Sequence, residues 1–346
     1  MAIRDRERND FMAIRVAING FGRIGRLVYR IMHEDTNFEV VAINDLTDSE
    51  QLAYLLKYDT NHRRYHSDSI SSDDKGIIVD GKHTNVYSET DPSNLPWREL
   101  GIDVVFECTG RFTDKDKAYS HIKAGAKKVI ISAPAKGDVK TVVYNVNDNI
   151  LDGSEEIISA ASCTTNCLAP VLKVLNDNFG VVKGYMTTIH AYTNDQVTLD
   201  VAHKKGINSR RGRGSAQNIV PTSTGAAKAI GKVIPELDGK LLGGAMRVPI
   251  GDGSLVDLVL ELNKKTTKEE INDCIKNNCN ETLMFTMDPI VSSDIISSTC
   301  GSMVDGQLTS VLDVDGKQLV KVVAWYDNEM GYSSQMVRTA KKLMEL

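Results

Sequence analysis

Several residue types that mark specialised proteins are scarce in this chain. Only six of its 346 residues are cysteine, and no run of sequence approaches the roughly 20 consecutive apolar residues of a membrane span. Basic residues are not in excess either, because 41 Lys and Arg stand against 46 Asp and Glu. These shortages argue against a disulfide-stapled scaffold, a membrane protein and a dedicated binder of nucleic acid or anionic membranes. A globular, cytoplasmic protein is the default expectation.

The few cysteines do not have the spacing of a metal site. Cysteine-based zinc sites use paired CxxC motifs, and the chain contains no such pair. We therefore predict reduced thiols and no metal, and one of the thiols could be reactive. The six are Cys108, Cys163, Cys167, Cys274, Cys279 and Cys300.

The length and the hydrophobic pattern together predict two domains. Residues 1–11 are charged and poor in apolar residues, and a second MAIR starts at Met12, so we interpret 1–11 as an N-terminal extension. Over residues 12–162, apolar strands alternate with helical patterns, which predicts a doubly wound parallel sheet, with residues 73–86 as an inserted polar hairpin. Over residues 163–327, longer strands follow one another, which predicts an α+β domain.

A glycine-rich turn follows the first predicted strand. In INGFGRIGR, Gly20, Gly22 and Gly25 form a GxGxxG motif that opens a helix, where the backbone can approach a pyrophosphate. Asp45 ends the next strand, where a carboxylate accepts hydrogen bonds from the adenosine ribose and repels a 2′-phosphate. The pattern favours NAD over NADP. The alternative is a glycine-rich turn beside a helix-capping aspartate.

The segment ASCTTNC places a cysteine at the start of a helical pattern. Cys163 would meet the positive end of the helix macrodipole and backbone N–H groups, which lower the pKa of a thiol and can bind an oxyanion. Cys167 lies one turn further in and is expected to pack. For Cys163, the alternative is a small buried residue beside hydroxyl caps.

Other polar residues are less specific when taken singly. His190 ends the strand pattern GYMTTIH beside a long loop and could act as a general base towards a thiol, although a lone histidine is more often structural. The basic cluster Arg210 to Arg213 fits a solvated loop, a nucleic-acid patch or a phosphate site. The TSTG segment and Arg247 offer donors suited to phosphate, but each could be structural.

The motifs leave three classes of protein open. One is an NAD-linked dehydrogenase that forms a thioester on Cys163. The second is a cysteine hydrolase, which would need no nucleotide fingerprint. The third is a nonenzymatic NAD-binding or scaffold protein, which would need no thiolate beside a histidine.

Seven sequence blocks together resemble one family, the phosphorylating glyceraldehyde-3-phosphate dehydrogenases. In chain order they are INGFGRIGR, ECTG, AASCTTNCLAP, TTIHAYTNDQ, PTSTGAAKA, AMRVP and WYDNEMGYS. The resemblance implies a glycolytic enzyme that converts glyceraldehyde 3-phosphate, NAD and inorganic phosphate to 1,3-bisphosphoglycerate and NADH. Cys163 then matches the nucleophile that forms a thiohemiacetal and a thioester, and His190 matches its base.

Matching by position implies two further sets of residues. The cofactor contacts are Gly20, Gly22, Arg23, Ile24, Asp45, Thr109, Ser132 and Asn328. The substrate and phosphate contacts are Ser162, Thr164, Thr193, Asp195, Thr224, Gly225 and Arg247, together with Arg211 or Arg213. The loop that carries these two arginines is slightly longer than the common bacterial pattern HKDLRRARA, so the matching leaves the choice between them open.

The resemblance also implies an architecture and shows two departures from it. The family fold implies an NAD-binding Rossmann domain over 12–162 that is rejoined by a C-terminal helix within 328–346, and members are homotetramers. Thr90 stands where many members have Arg or Lys near the adenine, and Ala202 stands where the common bacterial pattern has Pro. Their effect on NAD affinity stays open. Erythrose-4-phosphate dehydrogenase, which generally has glutamate in place of Asp45, is the alternative.

Overall fold

Two β-sheets with their helices make up the part of the protein that the computed structural model describes, residues 13–203 and 205–346. The predicted extension, residues 1–11, lies outside the described residues. Up to Ser162 the helices are α1 (Arg23–His33), α2 (Ser49–Lys57) and α3 (Lys115–Lys123). The strands are β1 (Ile14–Asn19), β2 (Phe38–Asn44), β3 (Tyr58–Asp59), β4 (Arg63–Arg64), β5 (Ile70–Asp73), β6 (Gly76–Val79), β7 (Lys82–Tyr87), β8 (Val104–Glu107), β9 (Lys128–Ile131), β10 (Lys140–Thr141) and β11 (Ile157–Ser159).

The first sheet has the strand order β10-β11-β9-β8-β1-β2-β7-β6-β5. Its pairings are parallel from β10 through β7, and β6 and β5 add antiparallel strands at the edge. The predicted hairpin over 73–86 is present, because β6 and β7 pair antiparallel, and the pairing of β7 with β2 makes this hairpin part of the sheet. The strand order reverses at β1, and ligands of such sheets bind beyond the carboxyl ends of the strands at that point.

The second half of the chain forms a mostly antiparallel sheet. Its helices are α4 (Cys163–Phe179), α5 (Ala226–Val233), α6 (Lys268–Asn277) and α7 (Met330–Met344). Its strands are β12 (Val181–Ala191), β13 (Val220–Ser223), β14 (Leu241–Val248), β15 (Ser254–Leu262), β16 (Leu283–Thr286), β17 (Ser302–Asp305), β18 (Ser310–Val314) and β19 (Lys317–Tyr326). The order is β13-β14-β12-β15-β19-β17-β16, with β18 on β19. The predicted fold class, a Rossmann-type sheet with an α+β partner, is confirmed.

Three helices cover one face of the second sheet. Side chains of α4, α5 and α6 share a buried core with β12, β15 and β19. The opposite face carries the exposed apolar side chains of Tyr185, Leu242 and Met246. Among residues 13–203 and 205–346, no helix has both the length and the apolar character needed to cross a bilayer.

The last helix of the chain returns to the first sheet. Tyr332, Met336 and Leu343 of α7 are buried in the same core as Val28 and Met32 of α1. The predicted C-terminal helix is therefore present, and it spans Met330–Met344 within the expected range 328–346.

Candidate active site

Cys163 begins α4 after a sharp turn out of β11. Ser162 caps the helix, because its Oγ accepts a hydrogen bond from the Thr165 N–H at 3.2 Å. Ala161 has a φ of 58°, a left-handed conformation that is uncommon for a residue with a side chain. The turn puts Cys163 in contact with the cores of both sheets.

His190 and Arg247 approach Cys163 from two neighbouring strands. They are register partners on β12 and β14, and the His190 Nε2 lies 3.5 Å from the Cys163 Sγ. The other ring nitrogen, Nδ1, lies 2.7 Å from the Ala191 carbonyl oxygen and 2.7 Å from the Arg247 Nη1. If Nδ1 donates to Ala191, Nε2 can accept the thiol proton. If Nδ1 accepts from Arg247, Nε2 carries the hydrogen.

Burial governs the ionisation of this pair. It raises the pKa of the Cys163 thiol, and the positive charge of Arg247 opposes that rise. Burial and Arg247 together lower the pKa of His190 to about 3. Burial of Cys163 therefore opposes the lowering of its thiol pKa that we expected from the helix terminus. Cys167 is fully buried in the second core, as expected.

The two loop arginines differ in their surroundings. Arg211 pairs with Asp195, whose carboxylate also accepts from the Thr193 hydroxyl, and its charge lowers the pKa of His190. Arg213 pairs with Asp200 at 2.9 Å, and its side chain is 65% exposed, against 18% for Arg211. Arg211 is thus the arginine that lies on the His190 side of the loop.

Arg247 has a hydrogen-bond donor that no described residue uses. Its Nη1 donates to the Ala191 carbonyl at 2.9 Å, whereas its buried Nε has no hydrogen-bond partner among the described residues. A buried donor of this kind is costly unless a ligand or water satisfies it. Arg247 is therefore suited to an anion.

Two of the remaining predicted phosphate ligands, Thr164 and Thr224, already have hydrogen-bond partners. Thr164 donates to or accepts from the buried Tyr326 hydroxyl at 2.9 Å, so its hydroxyl already has a partner. Thr224 and Gly225 open α5, where the Thr224 hydroxyl accepts from the Ala226 N–H. Within the described chain, neither Thr224 nor Gly225 is hydrogen-bonded to Cys163 or Arg247.

The glycine turn forms one wall of a cleft at the carboxyl ends of β1, β2 and β8. The cleft has a volume of about 280 Å³, and Asp45, Thr90 and Thr109 also line it. A Cβ on Gly22 would meet nothing within 4 Å, so the backbone there faces open space. A Cβ on Gly25 would lie 2.1 Å from the Gly20 carbonyl oxygen. The turn therefore fits a dinucleotide: one glycine keeps the approach open and another allows close packing of helix and strand.

Other predicted cofactor contacts are held by their own partners. The Asp45 carboxylate accepts from the backbone N–H groups of Phe21 at 2.8 Å and Thr47 at 3.1 Å. Thr109 donates through its N–H and hydroxyl to Glu107. Asn328 accepts from the Ser254 hydroxyl at 2.6 Å, which leaves its side-chain amide N–H₂ to donate.

Arg23 and Ile24 present backbone rather than side-chain donors. They are the first two residues of α1, and Gly22 supplies no side-chain cap for their end of the helix. The Arg23 guanidinium turns instead to Asp59 and Glu329. Ser132 follows β9, and its N–H donates to the Glu107 carbonyl oxygen at 3.0 Å.

Sequence reasoning missed the buried polar groups beneath the cleft. Glu107 accepts from Asn19 at 2.5 Å and lies 3.2 Å from the His121 Nε2, while the Trp97 indole donates to the His121 Nδ1 at 3.1 Å. Glu107 lies in the ECTG block, two residues before the predicted cofactor contact Thr109. Its position at the end of an apolar strand was the available signal.

A dinucleotide cleft at the switch point of one sheet, with a cysteine–histidine pair on the other, defines the class of NAD-dependent oxidoreductases. Residues 14–115 match the family model described as "Glyceraldehyde 3-phosphate dehydrogenase, NAD binding domain", and residues 162–328 match the corresponding C-terminal domain. The chain belongs to the glyceraldehyde-3-phosphate dehydrogenase family.

Curated relatives agree with this assignment along almost the whole chain. A glyceraldehyde-3-phosphate dehydrogenase of Clostridium pasteurianum is 59% identical over 325 residues, which cover 94% of this chain and 97% of the relative. One from Streptococcus pyogenes is 54% identical over 329 residues, which cover 95% and 97%. The predicted glycolytic activity, oxidoreductase class and NAD cofactor are confirmed, and the erythrose-4-phosphate alternative is not favoured.

Proposed function

We propose that Cys163, His190 and Arg247 carry out the phosphorylating oxidation of glyceraldehyde 3-phosphate. The observation that carries this proposal is the 3.5 Å approach of the His190 Nε2 to the Cys163 Sγ, with Arg247 beside both. The sulfur adds to the aldehyde carbon to give a thiohemiacetal, and loss of a hydride turns this adduct into a thioester. Inorganic phosphate then attacks the thioester carbon, the Cys163 sulfur leaves, and an acyl phosphate results.

His190 moves protons in this scheme. With Nδ1–H donating to Ala191, the Nε2 lone pair faces the thiol and can take its proton during addition to the aldehyde. Burial and the charge of Arg247 lower the pKa of His190 to about 3, so the imidazole is neutral and its lone pair is unprotonated before the reaction. The same nitrogen can next take the hydroxyl proton of the adduct as the hydride departs.

NAD supplies the hydride acceptor when it is bound. This chain would hold it with the open turn at Gly20 and Gly22, the N–H groups of Arg23 and Ile24, the Asp45 carboxylate, Thr109 and Ser132. Asn328 would orient the nicotinamide amide, because Ser254 fixes the direction in which its side-chain amide points.

Arg247 would bind both phosphate groups of the reaction in turn. Its unpartnered Nε and its planar fork suit an oxyanion. We assign Arg211 rather than Arg213 to the substrate phosphate, together with Thr193 and Asp195, because Arg211 is the more buried and its charge acts on His190. Ser162, Thr164, Thr224 and Gly225 remain proposed contacts of the attacking phosphate.

We further propose a cytoplasmic homotetramer with a domain boundary at Ser162–Cys163, in which residues 328–346 belong with the first domain. The exposed apolar face around Tyr185 and Leu242 is of the kind that another copy of the chain covers. Light scattering during gel filtration should give the mass of four chains. A monomeric mass would contradict the assembly without touching the chemistry.

Replacing the nucleophile tests the proposed function. Cys163→Ser should abolish phosphate-dependent NADH formation, because a serine hydroxyl stays protonated, while NAD binding is retained. Absorbance at 340 nm and calorimetric titration with NAD measure the two effects. Cys279→Ser, at an exposed cysteine on the surface, is the matched control and should behave as wild type. Native turnover in the Cys163 variant would reject the assignment.

A further inference from the structure

Three side chains that commonly bind metals meet at the outer edge of the first sheet. His33 ends α1, His66 follows β4, and Asp80 lies in the turn between β6 and β7. Their ligating atoms all lie within 4.8 Å of one another. None of the three lines the dinucleotide cleft or contacts Cys163.

Both distances from the Asp80 carboxylate to the histidines are slightly shorter than the spacing of ligands in a tetrahedral site. The Asp80 Oδ2 lies 3.1 Å from the His33 Nε2 and 2.7 Å from the His66 Nδ1. With metal–ligand bonds of about 2.0 to 2.2 Å, neighbouring ligands of tetrahedral zinc are about 3.3 Å apart. Small side-chain movements would therefore admit the ion.

A carboxylate on the Nε2 of His66, the ring nitrogen that does not face Asp80, orients the imidazole. The His66 Nε2 lies 2.9 Å from the Glu34 carboxylate, which also accepts from the Tyr65 hydroxyl at 3.0 Å. A carboxylate on the second nitrogen is the usual support of a metal-binding histidine, because it directs the other lone pair at the metal. His33 is fixed by stacking on Tyr29 at a 9° angle between the ring planes.

The backbone brings two of the ligands together at a conformational cost. His66 has a φ of 40° and Asp80 a φ of 49°, both in the left-handed region that residues with side chains rarely adopt. Such residues are often found at sites that clamp a ligand.

We propose that His33, His66 and Asp80 bind one Zn²⁺ per chain. Two imidazole nitrogens and one carboxylate oxygen suit zinc rather than Mg²⁺ or Ca²⁺, which prefer ligand sets made of oxygen. The side chains of His66 and Asp80 are 35% and 39% exposed, so water can complete the coordination. The ion would tie the end of α1 to the antiparallel edge of the sheet. Cysteine spacing could not reveal this site, because its ligands are far apart in the sequence.

Zinc calorimetry with the full-length chain tests the proposal. The protein is first treated with iodoacetamide, so that accessible thiols do not compete for the ion. Wild type should bind one Zn²⁺ with micromolar affinity at pH 8. His66→Asn and Asp80→Asn each remove a ligand with a residue that tolerates the left-handed backbone, and each should weaken binding at least about tenfold. Glu34→Gln should weaken it about tenfold through His66.

A histidine–carboxylate pair on the same edge provides the control. His83 and Asp73 form a pair at 3.1 Å but have no second histidine, so His83→Ala should keep the zinc affinity of wild type. NAD-dependent activity of the untreated variants shows that they are folded. Zinc should raise the wild-type melting temperature, and EDTA should reverse the rise.

Two results would overturn the site. One is wild-type affinity no tighter than that of His66→Asn and Asp80→Asn. The other is equally tight binding of Mg²⁺. Either would show that the cluster is a set of histidine–carboxylate contacts and not a zinc site.

Discussion

The guanidinium of Arg247 contacts His190 and the Ala191 carbonyl and still has a donor left for an anion, which a lysine could not reproduce. One nitrogen of its fork lies beside both His190 and the Ala191 carbonyl, while the Nε remains for an anion. A lysine offers a point charge without a planar set of donors. The fork is therefore the feature of this residue that matters most.

We expect Arg247→Lys to lose a charged hydrogen bond to phosphate. The loss is on the order of 1.5 to 3 kcal/mol, which corresponds to about a ten- to hundredfold fall in kcat/KM. Steady-state kinetics with both glyceraldehyde 3-phosphate and phosphate varied measure this. Arg213→Lys, at an exposed arginine paired with Asp200, should stay near wild type. Native constants for both ligands in Arg247→Lys would remove Arg247 from the phosphate site.

Buried His190 should make the fold sensitive to acid. Its folded pKa of about 3 lies below the ordinary value of 6.5, so its neutral form contributes stability above pH 6.5, and this is lost as the pH falls towards 3. At pH 5 the loss from this residue is about 2 kcal/mol. Urea unfolding at pH 8 and pH 5 should show a smaller acid loss in His190→Asn. Equal losses in both proteins would mean that His190 is protonated in the fold.

In the turn between β1 and α1, one glycine allows close packing and another leaves room for a ligand. A Cβ on Gly25 would meet the Gly20 carbonyl oxygen, whereas a Cβ on Gly22 would point into open space. The two glycines therefore have different roles in one motif.

We expect Gly25→Ala and Gly22→Ala to have different effects. Gly25→Ala should lower the melting temperature, because helix and strand must separate to relieve a 2.1 Å contact. Gly22→Ala should melt like wild type yet bind NAD more weakly, because a methyl group occupies the space for the pyrophosphate. Scanning calorimetry and NAD titration distinguish the two. Unimpaired NAD binding by Gly22→Ala would move the pyrophosphate away from this turn.

Hydrophobic periodicity predicted the helices and strands that are formed by neighbouring residues in the sequence. The strand–helix–strand period around Gly20 was sufficient for β1, α1 and β2, and four-residue strands such as β16 and β17 had no comparable period. Residues 73–86 form the predicted hairpin, but its place in the sheet depends on the long-range pairing of β7 with β2, which no local pattern shows. Likewise, motif blocks identified Cys163 and His190, but the burial that raises the thiol pKa depends on packing between two sheets.

On the scale of the whole molecule, a buried charge network connects the two sheets. The His62 Nε2 lies 3.2 Å from Asp252, which precedes β15, and 3.0 Å from Glu329 at the start of α7. Glu329 in turn pairs with Arg23 of the glycine turn. Burial alone would lower the pKa of His62, but the neighbouring carboxylates of Asp252 and Glu329 outweigh it and raise the pKa to about 9. The network therefore holds a histidine in its charged form.

Removing His62 should cost stability in a pH window set by this shift. The stabilisation is fully present below pH 6.5 and is lost as the pH rises through 9, and it amounts to roughly 3 kcal/mol. His62→Gln should therefore be less stable than wild type in urea at pH 6, with a smaller difference at pH 10. His83→Gln is the exposed control. A difference that grows with pH would contradict a charged His62.

The return of α7 to the first core has a consequence for biosynthesis. Tyr332, Met336 and Leu343 leave the ribosome after the strands of the second sheet, yet they complete a core whose other members were made first. At roughly 5 to 20 residues per second, the whole second sheet must be translated before they arrive, a delay on the order of ten seconds. During that time the nascent first sheet keeps an apolar groove beside α1 open, and we expect nascent chains arrested before Met330 to need a chaperone to stay unaggregated.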